Sequence, residues 1–457
     1  MTHNIYSQTN FKAIEQLKLV RGENIYVYDD QGNKYIEGLS GLWCSGLGYG
    51  NEEVANTAAE VMKTVGFTHT FGGKTHPWVQ ELSEKLASLL PMDDARVYLG
   101  LSGSDANDTQ IKLLRYYFDA IGKPEKRKII SRERSYHGIT MAATAVTGLP
   151  VSQAHFHPPE EALGILRTHA PHYYRGKQGA ETEEQFVERI LGDLEAQILR
   201  EDPETIAAFI AEPITGASGV IVPPPSYYPK LQAILRKYDI FFWSDEVING
   251  FGRTGEIFGC QGFEGIERPD MMVMAKQLTA AYSPLSCAAI RGDMHEAMYD
   301  QSAANGVFGH GYTYTAHPVS CAVSSKVLEI YERDGIYANA ARQGEYMQKR
   351  LAEFKDHPLV GEVRGKGLIG AVELVANKET GAEIAGGKGG LRCLKNAQDA
   401  GLILRAVAGN SMAFCPPMII KETQLDDMIG KFSDALDKTY KDLQAEGLVE
   451  TLDTAEA

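Results

Sequence analysis

A chain of 457 residues with 44% hydrophobic and 23% charged residues sits at the averages of large globular proteins, which excludes a disordered or fibrous chain and suggests two or three domains. The formal net charge of −15 argues against a nucleic-acid or anionic-membrane partner, because both require a basic face. Small molecules are the expected ligands.

The N-terminal stretch "MTHNIYSQTNFKAIEQLK" lacks a basic start followed by an apolar segment, and no run approaches the roughly 20 apolar residues of a membrane span. No targeting or anchoring is expected. "NIYVYDDQGNKYIEG" reads as a hairpin turning at Gly32. "THTFGGKT" (68–75) nearly matches a P-loop, yet Thr68 stands at the first glycine position and no apolar strand precedes it. A P-loop nucleotide hydrolase is therefore the weaker alternative.

Six short runs, apolar on both faces, follow between helical patterns: "RVYLGL" (96–101), "RKIIS" (127–131), "TIAAFIAE" (205–212), "DIFFWSDE" (239–246), "DMMVMAK" (270–276) and "SCAAIRG" (286–292). They predict a parallel sheet buried between helices, hence an α/β core. The stretch from Pro158 to Thr182 has scattered Pro, Gly and His without periodicity and is expected to be a long surface excursion near the ligand. Beyond residue 325 helical patterns return, with a strand set in "VGEVRGKGLIGAVELV", and the tail "VETLDTAEA" is expected to fray. The six cysteines are far apart without a C-x-x-C pair, so they read as reduced thiols of a cytoplasmic protein; no metal site is expected.

In open α/β sheets ligands gather at the carboxyl ends of strands, so the residues ending these runs are the candidates. "LSGSDANDT" (101–109) ends a strand and opens a helix; Gly103 and Ser104 could seat a phosphate on free N–H groups, or Ser102 or Ser104 could simply cap the helix. In "RSYHGIT", which puts Tyr136, His137 and Gly138 at one strand end, Tyr136 could stack on a flat ring or pack in a turn. Lys276 could snorkel, or, desolvated, act as an amine nucleophile forming a Schiff base. In "WSDEVINGFGRTG" adjacent acids end a buried strand, which is costly unless one meets a positive group.

In this order and spacing, "SGSDANDT", "YHG", "AEPITGASG", "SDEVINGFGRTG", "MAKQL" and "HGYTYTAHP" resemble the class III aminotransferases of the pyridoxal phosphate fold type I superfamily, from about Tyr26 to Tyr440. "GLWCSGLGYG" and "GLILRAVAGNSMAFCPP" place the resemblance in the pyruvate-dependent omega-aminotransferase branch. The resemblance implies a large domain over 61–325 with a mostly parallel sheet. A smaller α+β domain would be built from 1–60 and 326–457. Pyridoxal 5'-phosphate is the implied cofactor, and a homodimer, or a tetramer of paired dimers, would share the active sites.

Matched position by position, Lys276 is the lysine that binds the cofactor and shuttles a proton. Asp245 faces the pyridine nitrogen, while Glu246 should point to the other face of the strand. Val247 and Tyr136 cover the two ring faces, and Ser102, Gly103, Ser104, His137 and Glu212 complete the cofactor site. Thr313 would reach the phosphate of the neighbouring subunit. Leu42, Trp43, Phe71, Tyr136 and Ile139 are the implied substrate walls, with Arg405 as a mobile carboxylate partner. Five residues past Glu212 the γ-aminobutyrate and ornithine branches carry a glutamate; here Ala217 leaves room for an apolar group. The implied reaction moves an amino group from an aliphatic or arylalkyl amine to pyruvate, giving alanine, with taurine, a diamine or a β-amino acid as alternative donors. Departures are Asp105 and Asp108 in place of glutamates, Leu101 in place of a polar residue, and Gln277 in place of a common glycine.

Overall fold

The computed structural model describes residues 3–12 and 16–449; all but the first residue of the expected C-terminal tail lie outside them. Seven strands form the central sheet in the order Arg96–Gly100, Ser286–Ile290, Met271–Met274, Phe241–Asp245, Ile206–Ala211, Lys128–Arg132 and Ile165–Thr168. Every one of the six expected runs is a strand. Two findings sharpen the expectation. Ser286–Ile290 runs antiparallel to both of its neighbours while the other strand pairs are parallel, so the sheet is mostly parallel, as the resemblance implies. The stretch 158–182 also supplies the seventh strand, Ile165–Thr168, which pairs in parallel with Lys128–Arg132 at the sheet edge.

Side-chain alternation splits the strands between two apolar cores, one on each face. Phe242, Met272 and Met274 point into one core, which continues across the helices of both chain ends. Phe241, Trp243, Met271 and Val273 point into the other, against Ile111, Leu114 and Phe118 of the helix Gly103–Ala120. That helix therefore lies on the same face as the odd-numbered residues of the Phe241–Asp245 strand, which decides where Asp245 points.

The hairpin Tyr26–Asp29 and Lys34–Glu37 turns at Gly32, as its sequence predicts. It pairs with Leu402–Ile403, so the two ends of the chain share one four-stranded sheet. A second antiparallel sheet contains Val360–Lys366, Ile369–Asn377, Ser411–Phe414 and Arg405–Val407, and it brings Arg405 to the carboxyl edge of the large sheet. The segment 68–75 lacks strand–loop–helix geometry: the helix Glu52–Thr64 precedes it, and only a short 3-10 turn, Phe71–Gly73, lies within it.

Candidate active site

Five strand ends and the loop after Ser40 enclose a cavity of ≈ 740 Å³ lined by Trp43, Gly103, Ser104, Tyr136, His137, Glu212, Ala217, Asp245, Val247, Lys276 and Arg405 among others. Asp245 is buried within it. His137 Nδ1 lies 2.7 Å from Asp245 Oδ2, Asn107 Nδ2 donates to the same oxygen at 3.2 Å, and the Val247 N–H donates to Oδ1 at 3.1 Å. A carboxylate offers about four acceptor positions, so three are filled and room for one more donor remains. Asn107 had no sequence-level role, although it stands four residues from Gly103 on the same helical face.

Glu246 turns to the opposite face, where the N–H groups of Gly259 (2.7 Å) and Cys260 (2.8 Å) and the Ser244 hydroxyl (3.0 Å) donate to it. Burial pushes its pKa up. This acid holds the turn leaving the strand and does not face the cavity. Glu212 is likewise occupied: its two oxygens accept from the Tyr136 N–H at 3.0 Å and the Gly216 N–H at 2.9 Å. It thereby ties the Tyr136 turn to the segment that carries Ala217.

Lys276 directly follows the Met271–Met274 strand and Ala275 and adopts a left-handed φ of 45°. For a residue with a side chain this is a strained conformation of the kind that collects at functional sites. Among the described residues its amine makes no hydrogen bond or ion pair, and burial drives its pKa below the ordinary lysine value, against the opposing charges of Asp245 and Glu212. Arg405 is half-buried, and among the described residues no carboxylate pairs with it; burial lowers its pKa too.

The helix start resolves the phosphate question by dividing the work. Ser102 caps the helix in a reciprocal box with Asp105, which corrects its assignment to the cavity lining. Gly103 and Ser104 face the cavity, and among the described residues their N–H groups have no acceptor. A Cβ at Gly103 would lie 3.0 Å from Val247 Cγ2, so a side chain there would crowd the Val247 wall. Three more expected wall or cofactor residues do not line the cavity. Phe71, in the short 3-10 turn Phe71–Gly73, lies against Gly311 and lines a separate cavity of ≈ 820 Å³. Ile139 is 51% exposed with only its N–H turned inward, onto Ser104 Oγ at 3.0 Å, and Thr313 is exposed. Conversely, Leu149, Val151 and Ser152, Ile248 and residues 406–409 line the cavity without having been expected there.

A lysine with no hydrogen-bond or ion-pair partner among the described residues, a buried carboxylate with room for one donor, and a helix start whose first N–H groups point into the cavity together suit a ligand with a carbonyl, a basic ring nitrogen and a phosphate. The aminotransferase class-III family matches residues 6–436. The chain belongs to this family. Class III aminotransferases use pyridoxal phosphate, and the donor set just described fits it. Gamma aminobutyrate transaminase 3, chloroplastic, of Solanum lycopersicum is 40% identical over 432 residues, covering 93% of this chain and 81% of that protein. Among solved structures, the omega transaminase of Pseudomonas jessenii in complex with PMP is 44% identical with a TM-score of 0.94, covering 97% of both chains. A structure described as a transaminase with L-ala is 46% identical with a TM-score of 0.90, covering 94% of this chain and 100% of that one. Membership in the class III aminotransferases overturns the nucleotide-hydrolase alternative. No helix among the described residues is long and apolar enough to cross a membrane.

Proposed function

We propose that this aminotransferase moves the amino group of an uncharged aliphatic or arylalkyl amine to pyruvate, giving alanine and a ketone or aldehyde. The observation that carries this reading is Arg405. It is a guanidinium paired with no acid among the described residues, and it shares the cavity with the small or apolar walls Ala217, Leu42, Trp43 and Ile248. A carboxylate-bearing acceptor meets the arginine bidentately, and an uncharged donor uses the apolar walls in its absence.

Pyridoxal phosphate supplies an aldehyde that condenses with amines and a ring that accepts the electron pair left on the substrate carbon. In the reading proposed here, Gly103 and Ser104 donate their N–H groups to the phosphate. Asp245, held in orientation by His137 and Asn107, keeps a proton on the ring nitrogen. Val247 and Tyr136 confine the ring. The Lys276 amine, desolvated and so more readily neutral, would be the base that accepts the proton of the substrate carbon and, once protonated, the acid that gives it back. Cycles alternate between donor and acceptor in one pocket.

A panel of donors with pyruvate, read as alanine formed, tests the donor class. An arylalkyl amine is expected to outperform γ-aminobutyrate, taurine, a diamine and a β-amino acid. The γ-aminobutyrate arm is included because curated relatives carry that name, and a preference for it would overturn the reading.

We also propose a homodimer. The apolar residues Phe67, Phe71, Val307 and Tyr314, each at least 44% exposed, flank or line the second cavity, and Thr313 lies in the same segment. A covering second copy would bury them and place Thr313 for a neighbouring phosphate site. A fully active monomer in sedimentation would refute this.

A further inference from the structure

A buried amide that the proposed chemistry does not use lies between the lysine and the cavity wall. Gln277 follows Lys276 and is 1% exposed. Its Nε2 donates to the Trp43 carbonyl at 3.2 Å, while the Tyr331 hydroxyl lies 3.2 Å from its Oε1 and 3.1 Å from its main-chain oxygen. A neutral amide offers both donor and acceptor there without the desolvation cost of a charge.

Trp43 ends the turn Ser40–Trp43, and both Leu42 and Trp43 line the cavity. The turn is strained: Ser40 has φ 52° and Trp43 φ 65°, left-handed values that persist only where surrounding contacts over-determine them. Lys276 is in the same region at φ 45°. The Gln277 side chain thus links two strained segments that meet in one cavity. Space for it is kept by Gly46, where a Cβ would lie 2.1 Å from Gln277 Oε1 and 2.8 Å from the Tyr331 hydroxyl.

We propose that Gln277 is a positioning residue that determines donor specificity: its amide fixes the Leu42–Trp43 wall relative to the Lys276 amine and so sets how large a donor substituent is accepted. The inference rests on the amine-donor reading above and deepens it. Misplacing a substrate wall by about 1 Å is enough to cost rate.

The test compares Gln277→Met, which keeps length and removes both hydrogen bonds, with Tyr331→Phe, which keeps the amide and removes its anchor. Two readouts are used: kcat and KM for an arylalkyl amine and for alanine, and hydrogen–deuterium exchange of residues 39–46 in the cofactor-free protein. Gln277→Met is expected to raise the ratio of the arylalkyl-amine KM to the alanine KM about fivefold, as loss of the one bond that holds the wall, from Gln277 Nε2 to the Trp43 carbonyl, implies. Exchange at Trp43, Cys44 and Ser45 should quicken in both variants, less in Tyr331→Phe. Equal losses for both donors with a lowered melting temperature would reduce Gln277 to a structural residue and overturn the proposal. An unchanged KM ratio or unchanged exchange would do the same. A parent protein that rejects arylalkyl amines, with exchange still quickened in the variants, would sink the donor reading and leave the tether standing.

Discussion

Replacing Lys276 with alanine is expected to lower turnover at least about a thousandfold, because the amine proposed to move the proton is lost. The cofactor should still bind without a covalent bond, through the Gly103 and Ser104 N–H groups and the Asp245 carboxylate. Transamination at the parent rate would overturn the assignment. The same lysine predicts a stability effect of opposite sense. Its amine is buried without a hydrogen-bond or ion-pair partner among the described residues, and burial lowers its pKa below the usual lysine value. Between the folded and unfolded pKa values the unfolded chain holds the extra proton, so this group makes stability rise with pH; below the folded value the cost of the buried cation is fully present. Cofactor-free Lys276→Met should therefore melt above the parent at pH 7, and its lead should shrink as pH approaches about 10.4. A parent that melts higher at pH 7 would show that the amine has a stabilising partner.

The strands whose ends line the cavity were legible because each is a short, largely apolar run with a glycine or a polar residue at or soon after its end. Ile165–Thr168 was not, and its place at the edge explains why. It has a neighbour on one side only and needs no second apolar face: Arg167 on this strand reaches Glu160 at 2.5 Å. Asp245 and Lys276 were readable only as a pair, since a strand-end acid or lysine alone has an ordinary explanation. The separation of Asp245 from Glu246 followed from alternation, and the hydrogen bonds of Glu246 to Gly259 and Cys260 give its physical reason.

Walls made by loops were the weakest part. Leu149, Val151, Ser152 and residues 406–409 reach the cavity only through tertiary closure, which leaves no periodic trace in the sequence. The resemblance named Phe71, Ile139 and Thr313 by type, and in this chain they lie outside the cavity. The departure at Asp105 proved benign. The shorter acid still accepts from the Leu101 and Ser102 N–H groups and from the Ser286 hydroxyl at 2.9 Å, so the helix start keeps its geometry.

Arg405→Ala is expected to slow the keto-acid half-reaction about 10- to 100-fold, the effect of removing charge-assisted hydrogen bonds to one carboxylate. The amine half-reaction should lose far less, because an uncharged donor presents nothing for a guanidinium to bind. The asymmetry follows from the resting state of Arg405. It sits on a short strand opposite Ala413, half-buried, with Tyr136 nearby and no acid paired with it among the described residues. Such a cation gains little until an anion arrives, so its contribution is concentrated in the steps where the acceptor is bound. Arg405→Lys should recover only part of the loss, since an ammonium keeps the charge and lacks the planar fork that matches a carboxylate. Single-turnover measurement of each half-reaction separates the two effects. Equal losses in both halves would mean that Arg405 shapes the cavity for every substrate, and the assignment of acceptor recognition to this residue would fail.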